Sequence, residues 1–209
     1  TPAKAATNIQ EALDAVWATA EAPASGWVED GTYSLKKTDW LVVTRPVHLR
    51  SVNGRDAAFV DAELTAERRL MLVNDPQARV EGFTMRRGKT GVVQTGYAAG
   101  LWLKAGTVSN CVIEACQAIC NGGVSMSGGL LTHSIIRDNF CIVSGADRSG
   151  GGVYMSGGTL AHCEVLRNTT SRGAGIYLTG ASTVVRDCRI AGNYGANQRG
   201  GGVYQAGGL

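Results

Sequence analysis

Two sets of side chains in this chain have the types and spacings needed for chemistry. The first is His133, His162 and Asp187, each one residue ahead of a small residue (Ser134, Cys163, Cys188) in a recurring segment. Glu164 and Arg189 each follow one of those small residues. Imidazoles and carboxylates are the usual proton carriers near neutral pH. His133, His162, Glu164, Asp187 and Arg189 are therefore the candidate catalytic set, acting on a glycan or holding a metal. Solvated polar residues on a sheet face are the ordinary alternative. The second set is aromatic: Trp102, Tyr154, Tyr177 and Tyr204, with Ser125 as a gap. Rings held in line on a rigid sheet offer stacking surface and polar tips to a glycan. They also stabilise strand ladders by packing on one another.

Either set exists only if the chain repeats. The stretch Gly150-Gly-Gly-Val-Tyr-Met-Ser-Gly-Gly158 returns as Gly200-Gly-Gly-Val-Tyr-Gln-Ala-Gly-Gly208 and, loosened, as Gly173-Ala-Gly-Ile-Tyr-Leu-Thr-Gly-Ala181. A second segment follows each block, as in Leu160-Ala-His-Cys-Glu-Val-Leu-Arg-Asn168. Aligning Phe83, Cys111, Ser134, Cys163 and Cys188 gives steps of 28, 23, 29 and 25 by subtraction of these numbers. A constant pattern with a variable step places insertions in loops while the strands keep register, as in stacked coils.

Both segments alternate with period two, which predicts strands. Leu101, Val124, Val153, Ile176 and Val203 should share an inward face, as should Met85, Ile113, Ile136, Val165 and Ile190. Asn139, Asn168 and Asn193 recur five residues after the aligned slot, with Gly88 and Cys116 before them. They predict an amide ladder along the axis, because Asn tolerates corners and bonds its stacked neighbours. Cys111, Cys163 and Cys188 read as small buried residues, while Cys120 and Cys141 lie near corners where a bridge is conceivable. No CxxC pair occurs, so no zinc site, other metal or cofactor is expected.

Residues 7–20 predict a capping helix. Thr7 and Gln10 form a capping box, and Ile9, Leu13, Val16, Trp17 and Ala20 share one face. A first coil left bare would expose strand edges. The segment 89–99, with Tyr97, reads as a loop inserted between strands.

These repeats resemble those of the pectate-lyase-like superfamily, and especially bacterial secreted or surface proteins with GGGIY-type repeats. The resemblance implies an all-β fold: a right-handed parallel β-helix (solenoid) with a short N-terminal capping α-helix. A single domain over 1–209 is expected, with the cap at about 1–25 and glycine-rich coils at about 80–209. The last block ends where a further strand should begin, so a longer parent protein and an end-to-end contact there are expected. The superfamily's enzymes imply clustered aspartates or Asn-Thr-Asp, Asp-Asp and Gly-His-Gly strings, none of which occurs here.

A hydrophobic fraction of 44% in 209 residues suffices for one core. A net charge of +3 is too mild to argue for nucleic acid. No run of eighteen apolar residues offers a membrane span. Inverting hydrolysis needs two carboxyls roughly 6.5–9.5 Å apart, and only Glu164 with Asp187 or Glu114 comes near. Arg86, Arg87, Lys89 and Lys104 form a basic set that would attract an acidic polysaccharide. The expectation is a secreted or cell-surface, non-catalytic adhesive or glycan-binding scaffold whose partner is a polysaccharide or host glycan. The alternative is a polysaccharide lyase or glycoside hydrolase with its site partly outside these residues.

Overall fold

Strands of three to five residues with one apolar side, such as Leu41–Val43 and Val47–Ser51, cannot bury that side alone. Stacking does it for them. In the computed structural model, which describes residues 8–15, 19–35, 40–64, 69–91, 98–141 and 150–206, the chain is an all-β parallel solenoid of about 6 turns. Strands of successive coils pair in parallel to form a 12-stranded, a 7-stranded and a 4-stranded sheet.

The expected columns are present. Leu101, Val124, Val153, Ile176 and Val203 are successive in-register partners, and the column extends upstream through Met71 to Leu41. Tyr33, Val60, Met85, Ile113, Ile136, Val165 and Ile190 form the corresponding inward column of the second sheet. Both feed one continuous apolar core, except that Val203, on the last described coil, is 44% exposed because no described strand covers it. The coil structure thus begins at Ala24–Val28, well before the glycine consensus.

Two nine-residue strands, Val124–Thr132 and Val153–Ala161, run round a bend from one flat face to the next. At that bend Gly158 has φ +88°, and a Cβ there would stand 2.6 Å from the Gly128 carbonyl oxygen. Only glycine fits both the conformation and the approach.

Two further corners bracket the later strands of the second sheet, Val112–Glu114, Ile135–Arg137 and Glu164–Leu166. One holds Asn110, His133, His162 and Asp187, all left-handed with φ between 49° and 55°. The other holds Arg87, Ala115, Asp138 and Arg167, with φ between 50° and 59°. In each case the next residue points inward. After the first corner come Cys111, Ser134 and Cys163, all buried, and half-buried Cys188.

After the second corner the asparagines form the expected ladder. Asn139 Oδ1 accepts from the Cys116 N–H at 3.0 Å, and Asn168 Oδ1 accepts from the Asn139 N–H at 3.0 Å. Asn193 Oδ1 accepts from the Asn168 N–H at 2.9 Å. Each amide nitrogen donates back to a carbonyl of the preceding coil: Ile113, Ile136 and Val165, at 3.0, 3.0 and 2.8 Å.

The helix spans Ile9–Ala15, shorter than the 7–20 reading. Thr7, Val16 and Trp17 lie outside the described residues, as do Tyr97 and Leu209. Ala20 is exposed in a bend rather than on a helix face. The observed cap is Asn8, whose Oδ1 accepts from the Gln10 N–H at 2.8 Å. Gln10 has a different use. Its Oε1 accepts from the Val42 N–H at 2.7 Å, satisfying a donor of the outermost strand. Ile9 and Leu13 close the apolar end of the core.

Candidate functional site

The row at the first corner is assembled by register. His133 and His162 stack with ring centroids 5.0 Å apart. His162 Nε2 lies 3.8 Å from Asp187 Oδ2 and 3.3 Å from Arg186 Nη1, and the same Arg186 nitrogen donates to Asp187 at 3.2 Å. His133 Nδ1 is 2.9 Å from Thr132 Oγ1. Glu164 and Arg189 pair with each other at 3.3 Å in a separate row on the adjoining sheet. His133, His162, Asp187 and Arg189 are all exposed.

This arrangement has a conformational explanation as well as a chemical one. Asn, Asp and His are the non-glycine residues most enriched at positive φ, and they occupy a corner that requires it. The three carboxylates weighed for hydrolysis each face an arginine: Glu164 with Arg189, Asp187 with Arg186, and Glu114 with Arg137 at 2.7 Å. Among the described residues no group of three or more His, Cys, Asp or Glu converges on a common point.

The aromatic row is a true stack. Tyr154 and Tyr177 lie 5.7 Å apart with planes 10° from parallel, and Tyr177 and Tyr204 lie 5.2 Å apart at 18°. Tyr177 therefore has a ring on each face, and its hydroxyl interacts with the Arg172 side chain. Burial, and secondarily the Tyr204 phenol, push its hydroxyl pKa up. Thr179 Oγ1 donates to the Tyr154 hydroxyl at 3.3 Å. Ser125 sits in register between Trp102 and Tyr154 and is only 5% exposed. Trp102 stacks on Trp40 at 5.8 Å, two coils away, and the Lys104 ammonium lies 5.0 Å from the Trp102 ring centroid.

The basic set does not gather. Arg86 and Arg87 both donate to the fully buried Asp61, from Nε at 2.7 and 2.8 Å, with a further bond from Arg87 Nη2. Burial alone would raise the Asp61 pKa, but the bonds from Arg87, the Glu63 N–H and Arg86 outweigh it and hold it low. Arg86 also lies over the Phe59 ring at 4.4 Å, and Lys104 is engaged with Trp102.

All six cysteines are free. Burial pushes the thiols of Cys111 and Cys116 up to about 11 and about 12. Cys163 and Cys188 occupy neighbouring slots of one column, and the interaction of the two thiols pushes the Cys163 pKa up and the Cys188 pKa down. Cys188 is also the more solvent-exposed of the pair.

A group that the glycine repeats do not announce lies on the first face of the early coils. Trp27 is 62% exposed, with the Arg50 guanidinium 5.0 Å from its ring centroid. Arg50 and His48 both face Glu81, at 3.9 and 3.3 Å. Beside them Ser25, His48, Arg79 and Thr107 form one outward column under a cleft of about 570 Å³. Alternation within each strand marks these side chains as outward, but only the coil-to-coil register brings them together.

Fold and columns together define a parallel β-solenoid repeat protein. Comparison with protein families, with curated proteins and with solved structures finds no match for the chain. No described helix is long and apolar enough to cross a membrane.

Proposed function

We propose that this solenoid is a non-catalytic scaffold of a secreted or cell-surface protein, and that it holds a polysaccharide or cell-surface glycan along its aromatic row. The observation that carries the reading is the straight stack Tyr154–Tyr177–Tyr204. It sets phenol edges in single file along the axis at the spacing of the coils, a periodic comb suited to an extended polymer. The rings are locked by their neighbours, so little side-chain entropy is lost when a ligand lands. The likeness of the repeats to secreted and surface members of the pectate-lyase-like superfamily supports the location. The absence of catalysis in this reading is supported by the His133–His162–Asp187 row, whose members are exposed at a corner, the two imidazoles stacked on each other and Asp187 paired with Arg186.

The test is affinity electrophoresis of the whole chain through gels containing acidic or neutral polysaccharides, with parallel assays for new reducing or unsaturated ends. Retardation without new ends is the expected result. Retardation by no polysaccharide would overturn the glycan-binding reading. New chain ends that disappear in His162→Ala or Glu164→Gln would replace it with the lyase or hydrolase reading.

A further inference from the structure

The cleft over the first coils is separate from the aromatic strip, and from it we infer a second binding site, for a small hydroxylated carboxylate. Its volume of about 570 Å³ lies within the roughly 300–1,000 Å³ of small-molecule sites. Ser25, His48, Arg79 and Thr107 occupy one column on four successive strands. Consecutive rungs therefore present a hydroxyl, an imidazole, a guanidinium and a hydroxyl. Pro23 and Pro76 wall the cleft with apolar rings, and Gln77 adds an amide.

Arg79 is the anchor. It is exposed at the cleft, and among the described residues it has no ion-pair partner. Its planar fork matches the two oxygens of a carboxylate. The surrounding charges favour a single negative group. Glu81, two residues along the same strand, is already engaged by His48 at 3.3 Å and Arg50 at 3.9 Å. Arg50 and Arg79 stand against Glu81 and the rim carboxylate Asp75, so there is no large positive excess at the cleft. A singly charged carboxylate on the unpaired Arg79 fits that balance better than a doubly charged phosphate next to a glutamate and an aspartate. Asp75 uses its Oδ1 to accept the Gln77 N–H at 2.8 Å, which steadies the rim. The hydroxyls of Ser25 and Thr107 and the Gln77 amide donate and accept, so they suit ligand hydroxyls.

The experiment is calorimetric titration of the whole chain with gluconate at about 10 mM salt, where exposed charges are little screened. Glucose and inorganic phosphate are the comparison probes. Gluconate is expected to bind, glucose to give no heat, and phosphate to bind more weakly. Arg79→Gln should weaken gluconate at least about tenfold, the scale of a lost charge-assisted bond, and Arg79→Lys should fall between it and the parent. Thr107→Val, which keeps every charge, should weaken gluconate less. Gluconate binding left unchanged in Arg79→Gln, glucose as tight as gluconate, phosphate tighter than gluconate, or no heat with gluconate would each overturn the site. Tyr177→Phe should leave gluconate binding intact and Arg79→Gln should leave polysaccharide retardation intact, so the two readings fail separately.

Discussion

The side-chain oxygen of Asn168 takes two hydrogen bonds from Asn139, one from the backbone N–H and one from Nδ2, each at 3.0 Å. Asn168 passes the pattern on, donating from Nδ2 to Asn193 Oδ1 at 3.0 Å and to the Ile136 carbonyl at 3.0 Å. Both residues are fully buried. Asn168→Ala would leave the Asn139 N–H, the Asn139 amide and the Ile136 carbonyl without these partners. At about 1–3 kcal/mol for each orphaned group, partly relieved by relaxation, the expected loss is about 3–5 kcal/mol. Urea unfolding of the two proteins measures it. A loss under about 1 kcal/mol would mean that the ladder is not what ties these coils together.

Gly152 lies where an added Cβ would stand 2.7 Å from the Gly175 carbonyl oxygen and 2.8 Å from Asn168 Nδ2. Gly152→Ala should cost about 1–3 kcal/mol through forced backbone shifts. Gly26 is the control, since its Cβ would meet only Leu49 Cδ1, at 3.4 Å. Gly26→Ala should be neutral or stabilise by up to about 1 kcal/mol, because it removes freedom from the unfolded chain. Thermal midpoints of the two variants should move in opposite directions or differ by several degrees.

Tyr177 separates packing from recognition. Tyr177→Ala removes the ring between Tyr154 and Tyr204 and should cost about 1–3 kcal/mol, since each stacked pair is worth about 0.5–1.5 kcal/mol beyond its buried area. Tyr177→Phe keeps both stacks and should shift stability by less than about 0.5 kcal/mol. The same variant should lose polysaccharide retardation, because both ring faces are covered and the hydroxyl is the polar group left to a ligand. Retardation unchanged in Tyr177→Phe would show that the glycan uses ring faces elsewhere.

Cys188 should be the first thiol alkylated. A thiolate is the reactive form; the interaction with Cys163 holds the Cys188 pKa down, while burial pushes those of Cys111 and Cys116 up to about 11 and about 12. Iodoacetamide labelling followed by peptide mapping should find Cys188 modified ahead of the other two, at a rate that falls as the pH is lowered. Cys163→Ala removes the neighbouring thiol, so the midpoint of that rate profile should move upward. A profile unmoved by Cys163→Ala would rule out this interaction between the two thiols.

Asp61 should make part of the fold's stability sensitive to acid. Its folded-state pKa is held below the ordinary carboxylate value by Arg87, the Glu63 N–H and Arg86. The stability it contributes is therefore fully present above a pH of about 4. It is lost as pH falls through the lower folded value. Asp61→Asn should be destabilised at pH 7, and its thermal midpoint should drop less than the parent's between pH 5 and pH 2. Parallel pH profiles for the two proteins would exclude Asp61 as a source of acid sensitivity.

The amino-acid sequence by itself determined the inward columns, the asparagine ladder and the presence of a solenoid. Each follows from local rules: alternation sets which side of a strand a residue faces, and glycine or asparagine marks the corners. Those rules repeat from coil to coil, so aligning the blocks Gly150–Gly158 and Gly173–Ala181 already predicts Val153 over Ile176. Tertiary structure decided what each outward side chain reaches. Tyr177 lies between two rings, Arg86 and Arg87 converge on Asp61, and Trp40 reaches Trp102 across two coils. Ser25, His48, Arg79 and Thr107 line up under one cleft although no glycine block marks their coils. A local pattern constrains φ and the side a residue faces. Rotamers, ring planes and ion-pair partners depend on the length of the intervening loop and on which coil lies next to which.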